Sequence, residues 1–154
     1  EYYASQAKKD GFVEIQDIFL ETSANEKEHG KVWFKLLHDG AVPDTLTNLK
    51  ESMEVEQYEW SDMYKNFAKT AHEEGFHDIA NLFELTSTVE MAHEERYKTL
   101  AKNIQKDKIF KKSKEIVWKC NNCGYLHRGK EAPDVCPLCD HPQAHYRKLT
   151  MGYE

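Results

Sequence analysis

The 154 residues suffice for one ordinary domain, or for one domain plus a module too small to build a core of its own. With 40% apolar and 31% charged residues the chain is expected to fold, and no run approaches the roughly 18 consecutive apolar residues of a membrane helix. The net charge of −6 comes from interspersed signs rather than a basic face, which argues against a nucleic-acid partner.

Residues 1 to 105 contain four glycines and one proline, with apolar residues at helical spacing among many Glu, Lys and Ala, and they read as long helices. Breakers divide them into four. Gly11 ends a first, short helix; Asp39-Gly40 with Pro43-Asp44 separates the second from the third, and Gly75 separates the third from the fourth. The expected fold is an all-α four-helix bundle over 1–105. Residues 106–114, rich in lysine, read as a linker, and 115–154 as a loop-rich module held by metal instead of by burial. No secretory leader opens the chain, so the cytoplasm is expected, and the start at Glu1 is expected to reflect removal or omission of the translated beginning.

The chain repeats itself at an offset of 64 residues. Ala4, Ala7, Gly11, Phe12, Ile15, Phe19, Thr22, Ser23, Glu26, His29 and Leu36 match Ala68, Ala71, Gly75, Phe76, Ile79, Phe83, Thr86, Ser87, Glu90, His93 and Leu100, eleven identities in an ungapped window of 38. The bundle is therefore read as two copies of a helix hairpin. Glu26-x-x-His29 and Glu90-x-x-His93 interrupt the apolar seams of the second and fourth helices at matching heights. The third helix adds Glu56 on its own seam and Glu59 beside it. Several ionised carboxylates in an apolar interior need cations or protons, and helix-borne Glu with Glu-x-x-His matches a carboxylate-bridged metal pair. With 18 Glu and 8 His, about one Glu-x-x-His arises by chance; the third instance, Glu74 with His77, straddles the Gly75 turn, has no partner at the repeat offset, and is read as accidental. Glu51 and Glu54 lie off the seam and read as solvated. The counterpart of Glu56 falls nine residues before Glu1, so the first helix is expected to be truncated and this chain alone to hold one of two metals weakly, unless a separate N-terminal segment completes it.

Cys120-x-x-Cys123 and Cys136-x-x-Cys139 form two knuckles twelve residues apart. That spacing predicts a tetrahedral tetrathiolate site, whose spacing accepts iron or zinc alike. Cys-x-x-Cys-Gly-Tyr and Cys-Pro-Leu-Cys tilt the reading to iron.

Asn25-Glu-Lys-Glu-His29, Glu56-Gln-Tyr-Glu59-Trp60 and the cysteine knuckles together resemble the rubrerythrin family over essentially the whole chain. The resemblance implies a ferritin-like di-iron domain with a C-terminal rubredoxin-like centre, acting as a peroxidase that reduces hydrogen peroxide to water in oxidative-stress defence. It implies two irons bridged by Glu26 and Glu90, with Glu56 and His93 on one iron and Glu59 on the other. His29 would be a conditional ligand exchanging with Glu59, Tyr64 a catalytic tyrosine beside the cluster, and a third iron, replaceable by zinc, would sit among the four cysteines. The implied partners are an electron-donating reductase or rubredoxin and a second copy in a homodimer. Two other readings stand beside it: a ferroxidase or iron-handling protein, and a non-enzymatic helical bundle with a zinc ribbon.

Overall fold

In a computed structural model that describes residues 1–150, the chain divides into two units, Glu1–Asp44 and the residues from Thr45 onward.

The first unit is a helix hairpin, α1 (Tyr2–Lys9) and α2 (Val13–Leu37). The two helices close on the small residues Ala4 and Ala7, which are buried where α1 meets α2. The turn is a Schellman motif: Gly11 takes φ +85, its N–H donates to Lys8 O, and the Phe12 N–H donates to Ala7 O at 2.9 Å. Seam side chains keep considerable exposure, Ile15 45% and Trp33 66%, because one pair of helices has a single contact line.

The second unit opens with α3 (Thr45–Tyr58), a π-helical turn (Glu59–Met63) and α4 (Tyr64–Glu73), followed by α5 (His77–Gln105), against which α3, the π turn and α4 all pack. Gly75 repeats the turn of Gly11 almost atom for atom, with φ +84 and the Phe76 N–H donating to Ala71 O at 2.8 Å. The 64-residue repeat is thus a backbone repeat as well. Ala68, Ala71, Ala80 and Ala101 are buried, and an open apolar groove of about 540 Å³ runs along Phe67, Phe76, Ile79 and Phe83. The π turn lies inside the segment read as one uninterrupted third helix. Its extra residue frees backbone carbonyls, and the Ser87 hydroxyl donates to Trp60 O at 3.1 Å to satisfy one of them.

The helical region ends at Gln105 with another left-handed residue, Asp107 at φ +50, where the Lys108 N–H donates to Asn103 O. β1 (Lys111–Cys120) begins inside the stretch read as a linker, because Lys111 pairs with Glu131 of β2 (Leu126–Glu131), by register and by a 3.2 Å ion pair. β3 (Tyr146–Lys148) lines the other edge of β1, so the sheet order is β2-β1-β3 and every pairing is antiparallel. Trp118, Cys120, Ala132, Cys136 and Tyr146 form its core, and the Trp118 indole N–H donates to Gly129 O at 3.1 Å. Positions 151–154, the end of the expected C-terminal module, lie outside the described residues. Among the described residues no helix is long and apolar enough to cross a membrane.

Candidate metal centres

The knuckles assemble first, because each is a short loop anchored by its own backbone. The Gly124 N–H donates to Cys120 O and the Asp140 N–H to Cys136 O, both at 2.9 Å, so the two loops close alike, with Gly124 (φ +81) and Asp140 (φ +56) at the left-handed corners. Four sulfurs converge. Cys120 Sγ lies 3.8 Å from Cys139 Sγ and Cys123 Sγ 3.6 Å from Cys136 Sγ. The edge of a tetrahedron built on metal–sulfur bonds of about 2.3 Å is about 3.8 Å, so the spacing suits one ion and is far too long for disulfides. Burial pushes the Cys136 thiol up, but the Tyr146 hydroxyl, the N–H groups of Leu138 and Cys139 and the Cys139 thiol outweigh it and bring it down to about 6. The Tyr125 N–H pulls the Cys123 thiol down, yet burial and the thiols of Cys139, Cys136 and Cys120 push it up to about 12. Four thiols that cannot all ionise together are a donor set awaiting a cation.

The second centre depends on α3 packing against α5. That contact brings Glu56, from the last turns of α3, to Glu90 and His93, neighbours on one face of α5. His93 Nδ1 lies 2.8 Å from Glu90 Oε2 and 3.5 Å from Glu56 Oε2, and the ligand atoms of all three fall within 4.8 Å of one another. Glu56 and Glu90 are largely buried. Burial holds the Glu56 carboxyl above the usual range; His93 opposes this, while Glu90 and Glu59 add to it. Glu56 Oε2 is buried and makes no hydrogen bond, His93 Nδ1 standing beside it only at ion-pair distance. An orphaned buried acceptor costs about 1–3 kcal/mol. A cation would relieve it, and a carboxylate pair with an imidazole suits iron.

The remaining predicted ligands are placed differently. Glu26 and His29 meet each other, Glu26 Oε2 at 3.2 Å from His29 Nδ1, on an exposed stretch of α2, 69% and 64% exposed. Both pairs bring their carboxylate to their own imidazole, the first within the helix hairpin taken by itself and the second beside α3. Glu59 opens the π turn, and its charge is felt at Glu56 and Tyr64. Tyr64 opens α4 with its ring against Phe67 and Phe83, centroids 6.2 and 6.0 Å away. Burial first, then the charges of Glu90, Glu59 and Glu56, push the Tyr64 hydroxyl above its ordinary range, so it keeps its proton beside the carboxylates. Sequence reasoning missed Glu94. Its Oε2 accepts the Trp60 indole N–H at 2.8 Å and ties the π turn to α5; the available signal was a carboxylate next to His93 and a seam tryptophan whose N–H needs a partner.

Two protein-family models match this chain: one described as rubrerythrin over residues 1–101, and one described as the rubredoxin-like domain of rubrerythrin over residues 118–147. Rubrerythrin-1 of Clostridium acetobutylicum is 44% identical over 167 aligned positions, covering 99% of this chain and 86% of that protein. Rubrerythrin of Clostridium perfringens is 46% identical with the same coverage, and rubrerythrin of Nitratidesulfovibrio vulgaris is 41% identical, covering 99% and 85%.

Proposed function

Because this chain belongs to the rubrerythrin family of iron-binding oxidoreductases, with a di-iron site and a rubredoxin-like centre, we propose that its reaction is the reduction of hydrogen peroxide to water. The observation that carries the reading is the pairing, in one polypeptide, of a buried carboxylate–imidazole cluster around the orphaned Glu56 Oε2 with a four-thiol site. Iron bound at the two centres supplies the electron transfers, one at a time at the thiolates and two together at the carboxylates.

The chain's own residues do the rest. Glu56, Glu90 and His93 would hold iron, joined in this proposal by Glu59, by Glu26 and by His29 as a conditional ligand. Tyr64 Oη, kept protonated by its surroundings, offers a proton and a hydrogen bond beside the reacting oxygens. Trp60 and Glu94 hold the π turn so that Glu56 and Glu59, on either side of its start, keep their spacing. Cys120, Cys123, Cys136 and Cys139 form the electron entry point for a reductase or rubredoxin. We place the chain in the cytoplasm, where free thiols persist, and in a homodimer by family resemblance.

The test is stopped-flow spectroscopy on the iron-loaded, pre-reduced protein. Peroxide is expected to reoxidise the tetrathiolate centre rapidly, restoring its red absorption. Glu90→Ala should abolish the fast phase while leaving the red colour of the oxidised protein intact. Equal rates in wild type and variant would overturn the reading, and net accumulation of oxidised iron without any need for reductant would assign the site to iron handling.

A further inference from the structure

A separate group of ligating side chains lies where α4 turns into α5. His77 precedes Glu90 by thirteen helical residues, about 20 Å of rise, so it is remote from the carboxylate cluster. His72 closes α4 and His77 opens α5, and their Nδ1 atoms face each other at 3.2 Å, with ring centroids 5.4 Å apart. On its far side the His72 ring presents Nε2 to Glu84 Oε1 at 3.5 Å.

We propose that His72 and His77 form a third, surface site for one divalent transition-metal ion, bound through the two facing Nδ1 atoms, with Glu84 fixing the His72 ring from behind. Three observations carry this. Two bonds of about 2.0–2.1 Å meeting near 100° at an ion set their nitrogens about 3.2 Å apart, the separation seen here. A carboxylate behind a ligating imidazole settles the proton on the outer nitrogen and leaves the inner lone pair for metal, and Glu84 stands there for His72. The turn itself requires neither histidine. At the repeat offset His72, His77 and Glu84 correspond to Lys8, Val13 and Leu20, and the Gly11 turn keeps the same backbone without them. Without metal, the His77 Nδ1–H can donate to His72 Nδ1; on binding, that proton moves to His77 Nε2 and both Nδ1 atoms turn to the ion. Imidazole donors favour nickel, copper or zinc over magnesium or calcium, and water completes the coordination because both rings are exposed.

The test loads the full chain with iron and then titrates Ni²⁺ by calorimetry at neutral pH. The ferric tetrathiolate absorption is followed throughout, so that any displacement of iron is seen. Wild type is expected to bind one equivalent. His72→Ala and His77→Ala should each lose it, and His72→Gln and His77→Gln, which keep a polar side chain at the turn, should lose it too with unchanged melting temperatures. Glu84→Ala should weaken binding about ten- to a hundredfold. No Ni²⁺ equivalent in the wild type, or one that survives either histidine substitution, would overturn the site.

Discussion

The two Glu-x-x-His copies sit on helices that leave near-identical glycine turns, and they differ in what faces them. On α5, Glu90 and His93 meet Glu56 from α3, and the three side chains are largely withdrawn from water. On α2, within the first unit taken by itself, Glu26 and His29 meet each other across one helical turn. The Glu-x-x-His spacing is the same, yet in the second copy a carboxylate from another helix of the same unit joins the pair. The carboxylate from a second helix makes the difference. Glu56 adds to the pair a buried carboxylate whose Oε2 makes no hydrogen bond and whose neighbours Glu90 and Glu59 share its charge. Only Gly30 stands where the second copy has Glu94, so the first copy also lacks the carboxylate that anchors Trp60.

The comparison breaks most readily at the two repeat-related glutamates, Glu26 and Glu90. Loss of a residue that merely orients a metal ligand costs about 10–100-fold in affinity, so removal of a ligand from the preformed cluster should cost more. Ferrous iron titrated into Glu90→Ala is expected to bind more than about 100-fold weaker at the tight site, while Glu26→Ala loses distinctly less. Equal losses would show that exposure of the first copy does not matter to the metal.

A smaller effect sharpens the role of Glu56. Its carboxyl sits above the ordinary range in the folded chain, so the folded state binds the proton more tightly than the unfolded state does. The contribution of Glu56 to the stability of the metal-free protein is therefore expected to be fully present below the ordinary carboxylate pKa. It should be lost as pH rises from there through the raised value. Glu56→Gln should stabilise the metal-free chain at neutral pH by about 1 kcal/mol or more and flatten that pH dependence, while weakening iron binding. Melting temperatures of metal-free wild type and variant across pH 4 to 8 check the sign; a wild type that gains stability relative to the variant as pH rises through the carboxylate range would contradict it.

The smallest expected effect concerns the π turn. Ser87→Ala removes the hydroxyl that satisfies Trp60 O and should cost about 0.5–1.5 kcal/mol, whereas Ser23→Ala, at the repeat offset, should be near neutral. Denaturant melts of the two variants compare them directly.

Much of the helical layout was legible because glycine and alanine report backbone events. Gly11 and Gly75 predict left-handed corners, and the alanines preceding each mark where helices must close. The π turn was not legible: seam residues Glu56, Trp60 and Met63 keep a spacing that an unbroken α-helix also allows, and only the Trp60 and Ser87 contacts reveal the wider turn. The start of β1 at Lys111 escaped for a similar reason, since the pairing with Glu131 is twenty residues away and lysine is a poor strand signal. His77, read with Glu74 as a chance motif, faces His72 across the turn.

Sequence alone determined the cysteine site nearly completely, because each Cys-x-x-Cys fixes two sulfurs through one tight loop and needs only the other loop beside it. It also determined that Glu26, His29, Glu90 and His93 form two equivalent pairs. That Glu90 and His93 join a third ligand was decided by tertiary structure, since a helix delivers its side chains to a face but not to a partner. Glu56 reaches Glu90 and His93 by the packing of α3 on α5, and no local pattern encodes that approach.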